Sequence, residues 1–240
     1  DDQARQISLS GGNEPFLSGH DDKRVWCYAD GAPSVSYAAP GVEEVVAGWL
    51  HVSWRDAAGQ VRCAGERGES TASMTRFGPE VVPDLKAERL VQHGGSVCAE
   101  TAEGPVKCIE LGHEPSGPSF FVSEPPWMQG FSHLPNSASS FYCGVKGTGI
   151  VCHNLALMWK RPPPRLHRVE GDAPAALALG PFHQCGLDDG EVRCWGSSQD
   201  GQLGLWGSHS EPTVMPLPFT VDEVAVGRSH TCLRSRGRLY

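Results

Sequence analysis

The residues with the most chemical potential in this chain are nine cysteines, at positions 27, 63, 98, 108, 143, 152, 185, 194 and 232. Cysteines can hold zinc, run dithiol redox chemistry, or close structural disulfides, and spacing separates these uses. No C-x-x-C occurs, which speaks against both the zinc and the thioredoxin-like options. Three pairs instead stand nine or ten apart: Cys98 with Cys108, Cys143 with Cys152, and Cys185 with Cys194. In "HQCGLDDGEVRCWGSSQDGQLG", residues 183–204, the midpoint between the cysteines falls between Asp189 and Gly190. Asp-Gly is a turn dipeptide, so the two cysteines belong on facing strands of a hairpin.

The elements that hold these hairpins repeat. Cys98, Cys143, Cys185 and Cys232 form one column, with gaps of 45, 42 and 47 residues. Cys27, Cys63, Cys108, Cys152 and Cys194 form a second, with gaps of 36, 45, 44 and 42. Five residues before the first column, a short apolar run ends: "VVAG" at Gly48, "LALG" at Gly180, "VAVG" at Gly227, and a weaker "RLVQH" at His93. His51, His183 and His230 stand two residues before that column. Their phase marks them as structural hydrogen-bonding residues between strands rather than catalysts. Each unit reads as a buried strand, a strand with the first cysteine, a turn, and a strand with the second. A Gly-, Pro- and Ser-rich remainder has room for an outer strand. Three or four short strands per roughly 45 residues is the pattern of a β-propeller blade. Repeats fall at about 7–40, 41–86, 87–130, 131–172, 173–218 and 219–240 of one domain, 1–240.

Composition agrees with an all-β chain rich in turns, with 29 Gly and 19 Pro among 240 residues. A formal charge of −8 disfavours nucleic acid and anionic membranes, both of which select basic surfaces. No apolar run approaches the roughly 18 residues of a membrane-spanning helix, so no direct membrane insertion is expected. The opening "DDQARQISLS" is not a signal peptide and is compatible with one in a precursor.

"HQCGLDDGEVRCWGSSQDGQLG" and "SHTCLRSRGRLY" resemble repeats of the regulator of chromosome condensation family, whose pattern runs roughly H-x-x-A-L-x-x-D-G-x-V-x-x-W-G-x-N-x-x-G-Q-L-G. The match is strong over 173–240; before that, only the strand pattern and the cysteine columns remain. The resemblance implies a β-propeller, here of six visible repeats from a six- or seven-bladed ring. The family spans a chromatin-bound nucleotide exchange factor, secreted β-lactamase inhibitors and plant receptor ectodomains, so function does not follow from fold. The sixth repeat reads as incomplete. Gly237 plus four is position 241, where the second-column cysteine of that repeat is expected.

Facing positions of an antiparallel hairpin have Cα atoms about 4.5–5.5 Å apart, within disulfide reach. We expect Cys98–Cys108, Cys143–Cys152 and Cys185–Cys194 to be disulfides, each contributing roughly 2.5–3 kcal/mol. The alternative is reduced thiols packed in apolar columns. A metal is not expected, because two facing thiols leave zinc two ligands short. Stepping through the repeat puts Phe16 opposite Cys27 and Ser53 opposite Cys63, which leaves Cys27, Cys63 and Cys232 unpaired. Three paired hairpins point to an oxidising compartment, extracellular, periplasmic or cell-surface.

Two stretches leave the repeat pattern. Residues 153–168, "HNLALMWKRPPPRLHR", are basic in an acidic chain, and Met158, Trp159, Lys160 and Arg161 combine aromatic and cationic groups that interfaces favour. The alternative is a loop folded onto the propeller side. Trp127, in "SEPPWMQGF", is a second such residue. Trp26 and Trp195 flank second-column cysteines and are expected to pack between blades. No nucleophile elbow, zincin motif, P-loop or dinucleotide fingerprint occurs, and neither catalysis nor a cofactor is expected. The reading is an extracytoplasmic protein-binding propeller, a receptor ectodomain, inhibitor or scaffold. The alternative is a glycan-binding or enzymatic one.

Overall fold

The computed structural model describes residues 6–9, 16–29, 35–48, 51–67, 75–93, 95–102, 104–111, 119–135, 141–154, 167–169 and 173–240. These form six antiparallel sheets, each with its strands in chain order. Two compact units, Asp1–Gln129 and Gly130–Tyr240, hold three sheets apiece.

In the first unit, sheet one is β1 (Gln6–Leu9), β2 (Phe16–His20), β3 (Arg24–Ala29) and β4 (Val35–Ala38). Sheet two is β5 (Val42–Ala47), β6 (His51–Asp56), β7 (Gln60–Arg67) and β8 (Thr75–Lys86). Sheet three is β9 (Arg89–His93), β10 (Ser96–Glu100), β11 (Lys107–Leu111) and β12 (Phe120–Ser123).

In the second unit, sheet four is β13 (Phe141–Lys146), β14 (Gly149–Asn154) and β15 (His167–Val169). Sheet five is β16 (Ala176–Leu179), β17 (His183–Asp188), β18 (Glu191–Gly196) and β19 (His209–Val214). Sheet six is β20 (Glu223–Val226), β21 (Thr231–Ser235) and β22 (Arg238–Leu239). Among the described residues the one helical element is a 3-10 turn, Pro126–Met128. Successive up-and-down sheets of this kind are the blades of a β-propeller.

Within each unit the core lies between neighbouring sheets. Val52 and Trp54 of β6 pack with Val25, Cys27 and Ala39 of the first blade. Val46 of β5 and Val61 and Cys63 of β7 join Leu90, Val97 and Ile109 of the third. Alternate residues of one strand thus serve opposite faces, and both faces are covered. In the second unit Trp195 packs with Cys143, Ile150, Cys152 and Leu179, between blades four and five. Trp26 differs: it crosses its own hairpin, and a Cβ at the facing Gly19 would overlap its ring.

The turns follow from backbone chemistry. Asp189 and Gly190 both have positive φ, 46° and 81°, and join the paired Asp188 and Glu191. Two successive positive-φ residues make the type I′ turn whose twist matches a hairpin. In blade one the turn of equal length is Asp21–Arg24, closed by the Asp21 amide donating to the Arg24 carbonyl at 3.1 Å. Asp21 accepts the amides of Lys23 and Arg24 on one carboxylate oxygen, at 2.7 and 2.8 Å, and this holds its carboxyl below the usual carboxylate range.

One register differs from the sequence reading, because the step from the first strand to the second is longer in blade one: Ser8 faces Ser18 ten residues on, where Ala178 faces Cys185 after seven. Cys27 faces Ser18, not Phe16. Residues 16 and 18 share a strand face, so side-chain periodicity does not separate them, and the turn centre decides. Ser53 faces Cys63.

Candidate binding face

In each four-stranded blade, the first-to-second and third-to-fourth strand links lie at one end. On blades five and six of the second unit, that end is built from named contacts. Gly180 donates its amide to the His183 carbonyl at 3.0 Å, and Gly227 to that of His230 at 2.9 Å. Gly48 and His51 close the same turn in the second blade at 2.7 Å. The imidazoles of His51 and His230 lie over Gly48 and Gly227, where any Cβ would overlap the ring. This three-residue link is the physical content of the Gly and His phase in the sequence.

His183 also clamps blade five to blade six. The Thr231 hydroxyl donates to the Gln202 carbonyl at 2.8 Å and so has only lone pairs left for His183 Nε2, 2.9 Å away. Nε2 therefore carries the proton. Burial, and next the charge of His230, push the His183 pKa down, which keeps the ring neutral. His51 differs from the expectation of a hydrogen-bonding residue. Neither of its ring nitrogens has a partner among the described residues, and burial lowers its pKa to about 4.

The "GQLG" segment fixes the loop between β18 and β19. Leu203 enters the core with Cys185, Cys194 and Val221. The Gln202 side chain accepts the Asp200 amide at 2.9 Å, and Gly201 and Gly204 take positive φ, 80° and 61°. Ser198 donates its hydroxyl to the Leu205 carbonyl at 3.0 Å, and its amide donates to the Ser208 hydroxyl at 3.1 Å. His209 Nε2 lies 3.2 Å from the Trp206 carbonyl. On this braced loop the Trp206 side chain is fully exposed, at 100%. Phe182, at the same end of the blade, is 48% exposed, with the Arg228 guanidinium 5.5 Å from its ring centroid. The Phe182 carbonyl accepts the Ser197 amide at 2.8 Å, which ties the two links together. Exposed aromatics and an arginine on a fixed backbone are suited to protein contact.

The cysteines behave as three classes. Cys98–Cys108, Cys143–Cys152 and Cys185–Cys194 are disulfides with Cα atoms 3.9, 4.0 and 4.1 Å apart, each between directly facing residues. Cys27 and Cys63 are buried free thiols, and desolvation raises both pKa values to about 12. At that value they hold no appreciable thiolate at neutral pH and are inert. Cys232 is free and exposed. Its strand neighbour Leu233 exchanges both backbone hydrogen bonds with Tyr240.

Met158, Trp159, Lys160 and Arg161 lie outside the described residues. Trp127 is in the 3-10 turn Pro126–Met128, and its side chain also lies outside them. The sequence reading missed Phe182, Trp206 and Arg228. Trp206 stands two residues past "GQLG", and the inward turn of Gln202 and Leu203 is the signal that marked it. Among the described residues, no group of three His, Cys, Asp or Glu is placed to hold a metal ion.

The family model of the regulator of chromosome condensation (RCC1) repeat matches residues 189–234. No curated protein sequence matches the chain. Prp20p of Saccharomyces cerevisiae has a similar structure at TM-score 0.68 and 13% identity, over 95% of this chain and 69% of that one. Human WBSCR16 does so at 0.63 and 13%, over 96% of this chain and 71% of its own. PorZ, a surface component of the type-IX secretion system of Porphyromonas gingivalis, matches at 0.52 and 12%, over 99% of this chain and 31% of its own. At such identities the likeness is one of fold.

Proposed function

We propose, from the premise that this chain carries an RCC1 repeat on a β-propeller, that it is an extracytoplasmic protein-binding module without catalytic activity. The observation that carries the reading is the braced loop presenting a fully exposed Trp206, with Phe182 and Arg228 at the same end of the blades. Trp and Arg are enriched at interface hot spots, and an indole on a backbone already fixed loses little conformational freedom on binding. Prp20p supports a protein partner by analogy, since its structure was solved together with a study of its binding to Gsp1p and histones. The −8 charge argues against a nucleic-acid partner.

The compartment is proposed from the disulfides. Three cross-strand cystines persist only where thiols are not continuously reduced. Extracellular, periplasmic and cell-surface locations all meet that condition. Met158, Trp159, Lys160, Arg161 and Trp127 are kept as a second proposed contact region on their composition alone. The test is paired binding and melting of Trp206→Ala. We expect loss of about 2 kcal/mol or more in partner affinity, with stability within about 0.5 kcal/mol of the parent. A large fall in melting temperature would place the indole in the fold rather than at an interface.

A further inference from the structure

A different feature, independent of the binding face, lies in the first unit at the β6–β7 turn end of blade two. A cavity of about 290 Å³ opens there, with Trp54, Pro40 and Pro79 as apolar walls and Asp56, Gln60 and Arg62 as its polar groups. Trp54 is a rigid wall, since Tyr37 stacks on it with ring centroids 5.9 Å apart. Two of the polar groups are already committed. Asp56 Oδ1 accepts the amides of Ala58 and Gln60 at 3.0 and 2.9 Å. The Gln60 side-chain amide donates to the carbonyls of Val61 and Val82, each at 3.4 Å.

Arg62 is the exception. It directly faces Trp54 across the β6–β7 pair and is half-buried, yet its guanidinium makes no hydrogen bond or ion pair with any described residue. Arg55, Arg89, Arg193 and Arg234 each hold a carboxylate at 3.1 Å or less. A guanidinium carries five donors in a fixed fork, and a partly desolvated one is stabilised by an acceptor that matches it.

We propose that this cavity binds an acidic side chain of a peptide, its carboxylate on Arg62 and an adjoining proline or aliphatic residue between Trp54, Pro40 and Pro79. The Asp56 carboxylate in the wall selects a singly charged ligand over a phosphate or sulfate dianion by like-charge repulsion. A free peptide C-terminus is the poorer fit. Such termini are captured by clusters of backbone amides, and the amides of this turn are held by Asp56.

The test is titration of the intact chain by NMR, following the Arg62 Nε–Hε signal, which is assigned by its absence in Arg62→Gln. The probes are N-acetyl-Pro-Leu-Glu-amide, the same peptide with Gln for Glu, and N-acetyl-Pro-Leu with a free C-terminus. The expected result is a saturable shift with the Glu peptide at about millimolar Kd or tighter. The other two peptides should bind at least about tenfold more weakly, and in the Arg62 variants, which lack that signal and are followed at the indole N–H of the lining Trp54, Arg62→Gln should show no saturable shift. Should Arg62→Gln fail to fold, Arg62→Lys keeps the charge without the fork and should weaken binding severalfold. An Arg62 signal unmoved by the Glu peptide at about 10 mM, moved equally by the Gln peptide, or moved only by the free C-terminus overturns the proposal.

Discussion

Ser53 stands directly opposite Cys63, at the hairpin position that Cys185 occupies opposite Cys194. Both are fully buried, and among the described residues the Ser53 hydroxyl has no nitrogen or oxygen partner; its polar neighbour is the Cys63 thiol itself. The blade is therefore built for a cystine it lacks. Ser53→Cys should close a fourth disulfide to Cys63 and stabilise the protein by about 2.5–3 kcal/mol for a loop of this length. Non-reducing peptide mapping and chemical denaturation check both halves. Free thiols at positions 53 and 63 in the oxidised variant would count against the register.

Gly48→Ala tests the histidine link. The new methyl would overlap the His51 imidazole, an overpacking that costs about 1–3 kcal/mol. His51→Ala alone leaves a cavity, but the double variant should be more stable than the sum of the two single losses implies. The expected coupling is at least about 1 kcal/mol. Additive losses would mean that the ring does not rest on Gly48.

His51 also gives the fold a pH dependence. Its pKa is about 4 in the protein against 6.5 unfolded, because burial disfavours the cation. Below pH 6.5 the unfolded chain takes up a proton that the folded chain refuses, so stability falls as pH drops from about 6.5 to about 4 and then levels. This one group accounts for on the order of 2–3 kcal/mol between about pH 7.5 and about pH 4.5. Denaturant midpoints measured across that range should slope downward, and His51→Phe should flatten the slope. An unchanged slope in the variant would assign the effect to other groups.

How much of this was legible beforehand depends on whether the repeat carried it. The cysteine columns and the apolar runs are periodic, and they gave the hairpins, the facing pairs and the blade pattern before any coordinates. Cys27 was matched to Phe16 rather than Ser18 because the step from first to second strand is longer in blade one: Ser8 faces Ser18 ten residues on, where Ala178 faces Cys185 after seven. The empty hydrogen-bonding capacity of His51 was invisible, since a sequence phase records position but not what surrounds a ring. Trp206, Phe182 and Arg228 are not periodic at all. Loop residues escape a reading built on the period, and they are where a propeller differentiates its binding. The composition of residues 158–161 drew attention to a loop, and the braced loop after "GQLG" needed the structure.

The central claim is that blades five and six bind a protein partner through the end that carries Trp206. Its most direct test is site-specific photocrosslinking of the oxidised protein in the extracytoplasmic fraction of its native source. A benzophenone amino acid would replace Trp206, Phe182 or, as a control, the exposed Val214 of β19. The account predicts one discrete crosslinked protein shared by positions 206 and 182, absent at 214, and competed by unlabelled protein but not by its Trp206→Ala variant. No crosslink at 206 and 182, or the same products at all three positions, would contradict it.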